Sequence, residues 1–157
     1  GNKVNVQERY LTFKDDLALI EVDICLLLNV LHHVGDDYHD EIQDIESAKD
    51  QILFSLNQLS KCSRTVVFQL GFNWQGNINL PLFEGGEKRE MIEFISTGTA
   101  EFWDVKNIGI AVSSTRGGII YEDLDATNIK RMDELGEFLN RPIFILSSKF
   151  AEHSFPI

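Results

Sequence analysis

Along the chain, uninterrupted apolar runs alternate with amphipathic ones. Residues 22 to 31, VDICLLLNVL, are a continuous apolar block of strand length, the pattern of a strand buried on both faces. From Asp40 the apolar positions Ile42, Ile45, Ala48, Ile52, Leu56 and Leu59 step by three and four with polar residues between them, and the pattern stops at KCSR. That spacing predicts one helix of about five turns. RTVVFQLGF, residues 64 to 72, is rich in β-branched and aromatic side chains and reads as a second buried strand bounded by Gly71. Strand, helix and strand together predict a βαβ unit.

Beyond it, NWQGNINLPLFEGG carries turn residues at both ends and reads as a loop. In the stretch EKREMIEFISTGTAEFWDVKNIGIAV, Phe102, Val105, Ile108 and Val112 fit a helical stripe, while Ile108, Ile110 and Val112 also alternate as a strand would. The helix is the expectation here, because Gly117 and Gly118 stand where one would stop. IIYEDL follows as a short strand. ATNIKRMDELGEFLN reads as a helical connection capped by Asp125 or Thr127, and RPIFILSSKF as a final apolar strand.

The length of 157 residues, with 43% hydrophobic content, suits one domain over residues 1–157 with a single core. No apolar run approaches the length of a membrane span, and GNKVNVQERY has neither a basic head nor an apolar signal core, so a cytoplasmic protein without membrane contact is expected. Cys25 and Cys62 are too few and too widely spaced for a disulfide framework or a zinc knuckle, and are expected to be reduced packing residues. The net charge of −11 repels phosphate backbones, and no dense Lys/Arg cluster offsets it, so nucleic acid is not an expected partner.

The junction at residues 23 to 41, DICLLLNVLHHVGDDYHDE, is where chemistry concentrates. DICLLLNVLHHV, preceded by FKDDLALIEV, resembles the fourth strand and its approach in class I, Rossmann-like methyltransferases dependent on S-adenosylmethionine. Members of that family commonly carry an acid seven or eight residues before an Asp-apolar strand that ends in a pattern like Val30-Leu31-His32-His33; here Asp15 and Asp16 precede Asp23. The resemblance implies an α/β fold with a mostly parallel sheet, helices on both faces and an antiparallel last strand. It covers nearly the whole chain, but as the second half of that fold. The Gly-rich loop that brings backbone to the methionine moiety does not occur in this sequence, nor does the acid that would hold the ribose hydroxyls. GGEKRE at 85 to 90 follows a loop and lacks a phosphate-loop Ser or Thr, so it is expected to start a helix.

Residue by residue, the resemblance implies that Asp15, or else Asp16, accepts a hydrogen bond from the adenine amino group. Asn29 and Val30 would face the methionine portion of S-adenosylmethionine, and Leu31 and His32 the adenine or acceptor side. His33 would be the acceptor-side base, since imidazole titrates near working pH; the plainer alternative is a structural histidine. Asn73 and Trp74, just past the next strand, stand where an acceptor pocket would form. His32, His33, Asp36, Asp37 and His39 match no standard zinc spacing, so no metal site is expected. The acceptor is expected to be a small molecule, a sugar or a protein side chain. The competing reading is a degenerate, non-catalytic relative that serves as an interaction subunit. In either case the free edge of the 22 to 31 strand is expected to be covered by a second copy, by residues 4–13 or by a separate N-terminal half.

Overall fold

Strand β1, Val22–Leu28, alternates in exposure: Leu27 is 9% exposed, whereas Ile24 and Leu26 on the opposite side are 63% and 68% exposed. An apolar run that looked buried on both faces is therefore covered on one. The structure, a computed structural model, describes residues 13, 17, 20–36, 42–84 and 86–150. Within them the remaining elements are α1 (Ile45–Gln58), β2 (Ser63–Gln69), α2 (Lys88–Gly98), β3 (Trp103–Ser113), β4 (Ile119–Asp123), the single-turn α3 (Gly136–Leu139) and β5 (Ile143–Ser148).

These five strands form one sheet in the order β1-β2-β5-β3-β4. β1 runs parallel to β2, β2 and β3 each pair antiparallel with β5, and β3 pairs antiparallel with β4. The α/β class stands, but the mostly parallel sheet does not: one of the four pairings is parallel. The helices also depart from expectation. Ala48, Ile52 and Leu56 of α1 and Met91 and Ile95 of α2 bury against Val66, Phe68, Phe144 and Leu146, which share one face of the sheet. On the other face Ile24, Leu26, Leu28 and Ile145 remain exposed, so both long helices lie on a single face.

The βαβ unit is present, with its boundaries moved. α1 begins later than the apolar stepping suggested because Asp44 accepts the Ser47 N–H at 2.7 Å and so fixes the cap there. Ile42 lies outside the helix and packs against the core from the preceding segment. Downstream, the GGEKRE stretch does open a helix, α2, yet that helix stops at Gly98. A Cβ at Gly98 would lie 2.5 Å from the Leu53 methyls, so a larger residue there would have to push the Leu53 side chain of α1 aside.

The expected continuation of that helix to Val112 is wrong. Residues 103–113 are the longest strand of the sheet, held between β5 and β4. The alternation of Ile108, Ile110 and Val112 was the true signal, and partners far along the chain decided it. Gly117 and Gly118, both with positive φ, form the β3–β4 hairpin turn, in which Ser114 N–H donates to Gly118 O at 2.9 Å. The connection at 126–140 is likewise no helix. Asp125 accepts from the N–H groups of Thr127 and Asn128 as a cap would, but only a 3-10 turn at Asp133–Leu135 and α3 follow.

Cys62 is buried, Cys25 is half-buried, and burial raises both thiol pKa values, as fits packing residues. Among the described residues no helix is long and apolar enough to cross a membrane. β1 has β2 as its one described neighbour, and residues 4–12, expected as one possible cover for its free edge, lie outside the described residues. The one-sided core predicts unequal costs at adjacent positions. Leu27→Ala should lower stability by about 2–4 kcal/mol, and Leu26→Ala by about 0.5 kcal/mol or less, in urea unfolding of this chain. A comparable loss at both positions would mean that the second face is also covered.

Candidate functional site

Parallel pairing places the carboxyl ends of β1 and β2 on the same edge of the sheet, where ligands sit in open α/β sheets. The antiparallel β5 starts on that edge too, since Ile143 pairs with Gln69. Three distant stretches thus converge: residues 29–36, 69–76 and 137–141.

At the end of β1 the chain turns on Asn29, which has φ 58°, a left-handed conformation that asparagine tolerates better than other side-chain-bearing residues. Its N–H donates to Gln69 O at 2.9 Å, its Nδ2 donates to Gln69 Oε1 at 2.8 Å, and its Oδ1 accepts from an Arg141 guanidinium nitrogen at 2.7 Å. Gln69 Nε2 donates to Arg141 O at 3.0 Å, which closes a ring of three residues. Arg141 also pairs with Glu137 at 2.6 Å, and Glu137 in turn accepts from Asn73 at 3.3 Å. Val30, beyond the turn, is 51% exposed.

Leu31–His33 then form a single 3-10 turn that carries Leu31 and His32 inward, to 1% and 3% exposure. His32 Nδ1 accepts the Gly71 N–H at 3.3 Å, which puts the proton of the neutral ring on Nε2. A Cβ at Gly71 would come within 2.6 Å of the His32 ring, so glycine is required for this stacking. Burial is the main cause of the lowering of the His32 pKa to about 4. The neighbouring His33 and Arg141 lower it further, while Glu137 and Asp36 partly offset them.

His33 faces outward. Its Nδ1 lies 2.8 Å from Asp36 Oδ2 and its side chain is 47% exposed. With Nδ1–H held by the carboxylate, Nε2 is left with a lone pair able to accept a proton. The two imidazole rings lie 4.2 Å apart between centroids. Next to them Trp74 is nearly buried and donates its indole N–H to Val34 O at 2.7 Å, tying the His32–His33 turn to the segment after β2.

Of the residues singled out in the sequence, Asn29, Val30, Leu31, His32, His33, Asn73 and Trp74 thus fall in one neighbourhood. Asp15, Asp16, Asp37 and His39 lie outside the described residues. Among the described residues no group of three or more His, Cys, Asp or Glu side chains is placed to hold a metal ion. Gln69, Glu137 and Arg141 went unnoticed in the sequence, because nothing local marks them: Arg141 and Asn29 are 112 residues apart. Asp36 entered the sequence reading only among residues that match no zinc spacing, and its pairing with His33 was not foreseen. Comparison with protein-family models, with curated proteins and with solved structures finds no match to this chain.

The His32 environment sets a pH dependence. Its folded pKa of about 4 lies below the 6.5 of a free imidazole, so the unfolded chain binds the proton more readily. The stabilising contribution is complete above pH 6.5 and is lost as the pH falls toward 4, a difference of roughly 2–3 kcal/mol. Urea unfolding at pH 7 and pH 4.5 should show that His32→Gln, whose amide oxygen can still accept from Gly71, loses less stability on acidification than the wild type. Equal losses would mean that His32 titrates as it does in water.

Proposed function

We propose that this chain is the carboxyl-terminal half of a Rossmann-like methyltransferase dependent on S-adenosylmethionine. The observation that carries the reading is the run of strand directions. β1, β2 and β3 run the same way, and the last described strand, β5, enters against them between β2 and β3. An antiparallel closing strand is what the resemblance implies. The exposed residues Ile24, Leu26 and Leu28, on an edge strand with one described neighbour, also suit a sheet that continues beyond β1. A separate N-terminal half or a second copy of the chain would be the partner at that edge.

The described residues fit the cofactor in part. The turn at Asn29 and Val30 offers polar main chain at a strand's carboxyl end, as a wall for the methionine portion. The contacts to adenine rest on Asp15 or Asp16, and those to ribose and to the Gly-rich loop on residues this sequence does not contain. When bound, S-adenosylmethionine supplies a methyl group on a sulfonium, so the protein's work is positioning and proton removal. His33 Nε2 takes the proton from the acceptor's hydroxyl or amine, while Asp36 fixes the ring's orientation and stabilises the imidazolium that forms. Asn73 and Trp74 border the acceptor side. The net charge of −11 favours a small molecule, a sugar or a protein side chain over nucleic acid.

One observation favours the second reading, a non-catalytic relative that serves as an interaction subunit. Leu31 and His32 are buried, and both ends of the Asn29 amide already have protein partners. A single series of measurements separates the two. In the protein expressed from its complete reading frame, methyl transfer from labelled S-adenosylmethionine should fall by about a hundredfold or more in His33→Ala, with little change in Tm because the side chain is half exposed. Unchanged turnover with a lowered Tm would assign His33 a structural role, and no transfer by the wild type would favour the second reading. Calorimetry on the 157-residue chain alone should show no micromolar affinity for the cofactor; such affinity would overturn the half-site reading.

A further inference from the structure

We infer that Arg141 is a positioning residue for the strand-end turn, acting through the side chain of Asn29 on whatever that turn binds. The inference rests on the function proposed above. Asn29 is the turning point of the edge, and a left-handed conformation in a residue other than glycine persists only where its surroundings hold it. Its amide is held on both sides: Nδ2 by Gln69 at 2.8 Å and Oδ1 by Arg141 at 2.7 Å. The side chain is therefore committed to the protein, the Asn29 N–H donates to Gln69 O and Val30 O accepts from His33 N–H, and the turn faces a ligand with its remaining main chain and the exposed Val30 side chain.

Arg141 is built for this task. Its side chain is 14% exposed, its charge is balanced by Glu137 at 2.6 Å, and its guanidinium lies 5.6 Å from the centre of the Phe138 ring. Its own carbonyl accepts from Gln69, so the residue that holds the Asn29 oxygen is tied to the one that holds the Asn29 nitrogen. A planar guanidinium can serve Asn29 and Glu137 at once, whereas a lysine ammonium at the same place would reach one of them.

The test is a double-mutant cycle on Arg141→Ala and Asn29→Gly in the complete protein, with kcat, KM for S-adenosylmethionine and Tm read for each variant. Glycine adopts positive φ freely but gives Arg141 nothing to hold. Each single substitution should raise KM about tenfold with kcat within about twofold, and the double variant should raise it no further. A role confined to stability would lower Tm without this non-additivity. Equal increases in KM from Arg141→Ala in the wild type and in the Asn29→Gly background would overturn the inference. Should Arg141→Ala not fold, Arg141→Lys is expected to raise KM less than Arg141→Gln, and the reverse order would refute it. If the wild type transfers no methyl group, the proposed function falls. The positioning role is then read in this chain by hydrogen exchange: the Asn29 N–H, bonded to Gln69 O, should exchange about tenfold faster in Arg141→Ala. Unchanged protection would overturn it.

Discussion

The sheet is closed by its last strand. β5 pairs with β2 through residues 143–147 and with β3 through residues 143–148, and no other described strand joins those two. Without it the sheet separates into two ribbons, β1–β2 and β3–β4, neither of which has the width to bury a core face. Phe144 and Leu146, with no exposed surface, fill the space under both helices, and Phe144 meets Phe68 across the strand pair with ring centroids 6.2 Å apart. The central contacts therefore join residues about 75 apart in the chain. Sheets of this kind form slowly, because loop closure precedes the contacts that compensate for it.

The same insertion makes the site. β5 begins on the edge where β1 and β2 end, so Arg141, two residues before it, arrives beside Asn29 and Gln69. The polar ring there and the core beneath it are consequences of one topological fact. His32 sits at the boundary between them, neutral and packed on Gly71, while His33 on the same turn is turned to solvent beside Asp36. Two adjacent histidines have opposite chemical characters because a 3-10 turn points consecutive side chains in different directions.

One face of the sheet carries both long helices, and the other presents Ile24, Leu26, Leu28 and Ile145 to solvent. The exposure is greatest on β1, at the edge of the described sheet, where apolar surface coincides with a row of backbone groups that have no strand partner among the described residues. Asn29 donates to Gln69 O at the end of the strand, so the alternation there turns the main-chain groups of Leu26 and Leu28 away from β2. An edge strand of this composition is a template for another strand.

The sequence by itself determined the elements whose signals are local. Stepping by three and four gave α1, β-branched density gave β2, and the glycines at 117 and 118 marked a stop, although of a hairpin and not of a helix. It also marked the junction at Asn29 to Asp36, because an apolar strand running into polar side chains is visible without a fold. Tertiary structure alone decided the rest. Residues 103–113 carry both a helical stripe and a strand alternation, the helix was the expectation, and only β5 and β4 on either side made them a strand. The run at 22–28 reads as buried on both faces, since periodicity records which residues are apolar and says nothing of what is available to cover them. Arg141 and Glu137 lie in a stretch with no motif, and they entered the site because strand order brought them to it across 112 residues of chain. Local pattern fixes local geometry; partners that meet through long-range pairing are set by the energy of the assembled sheet, which no window of sequence contains.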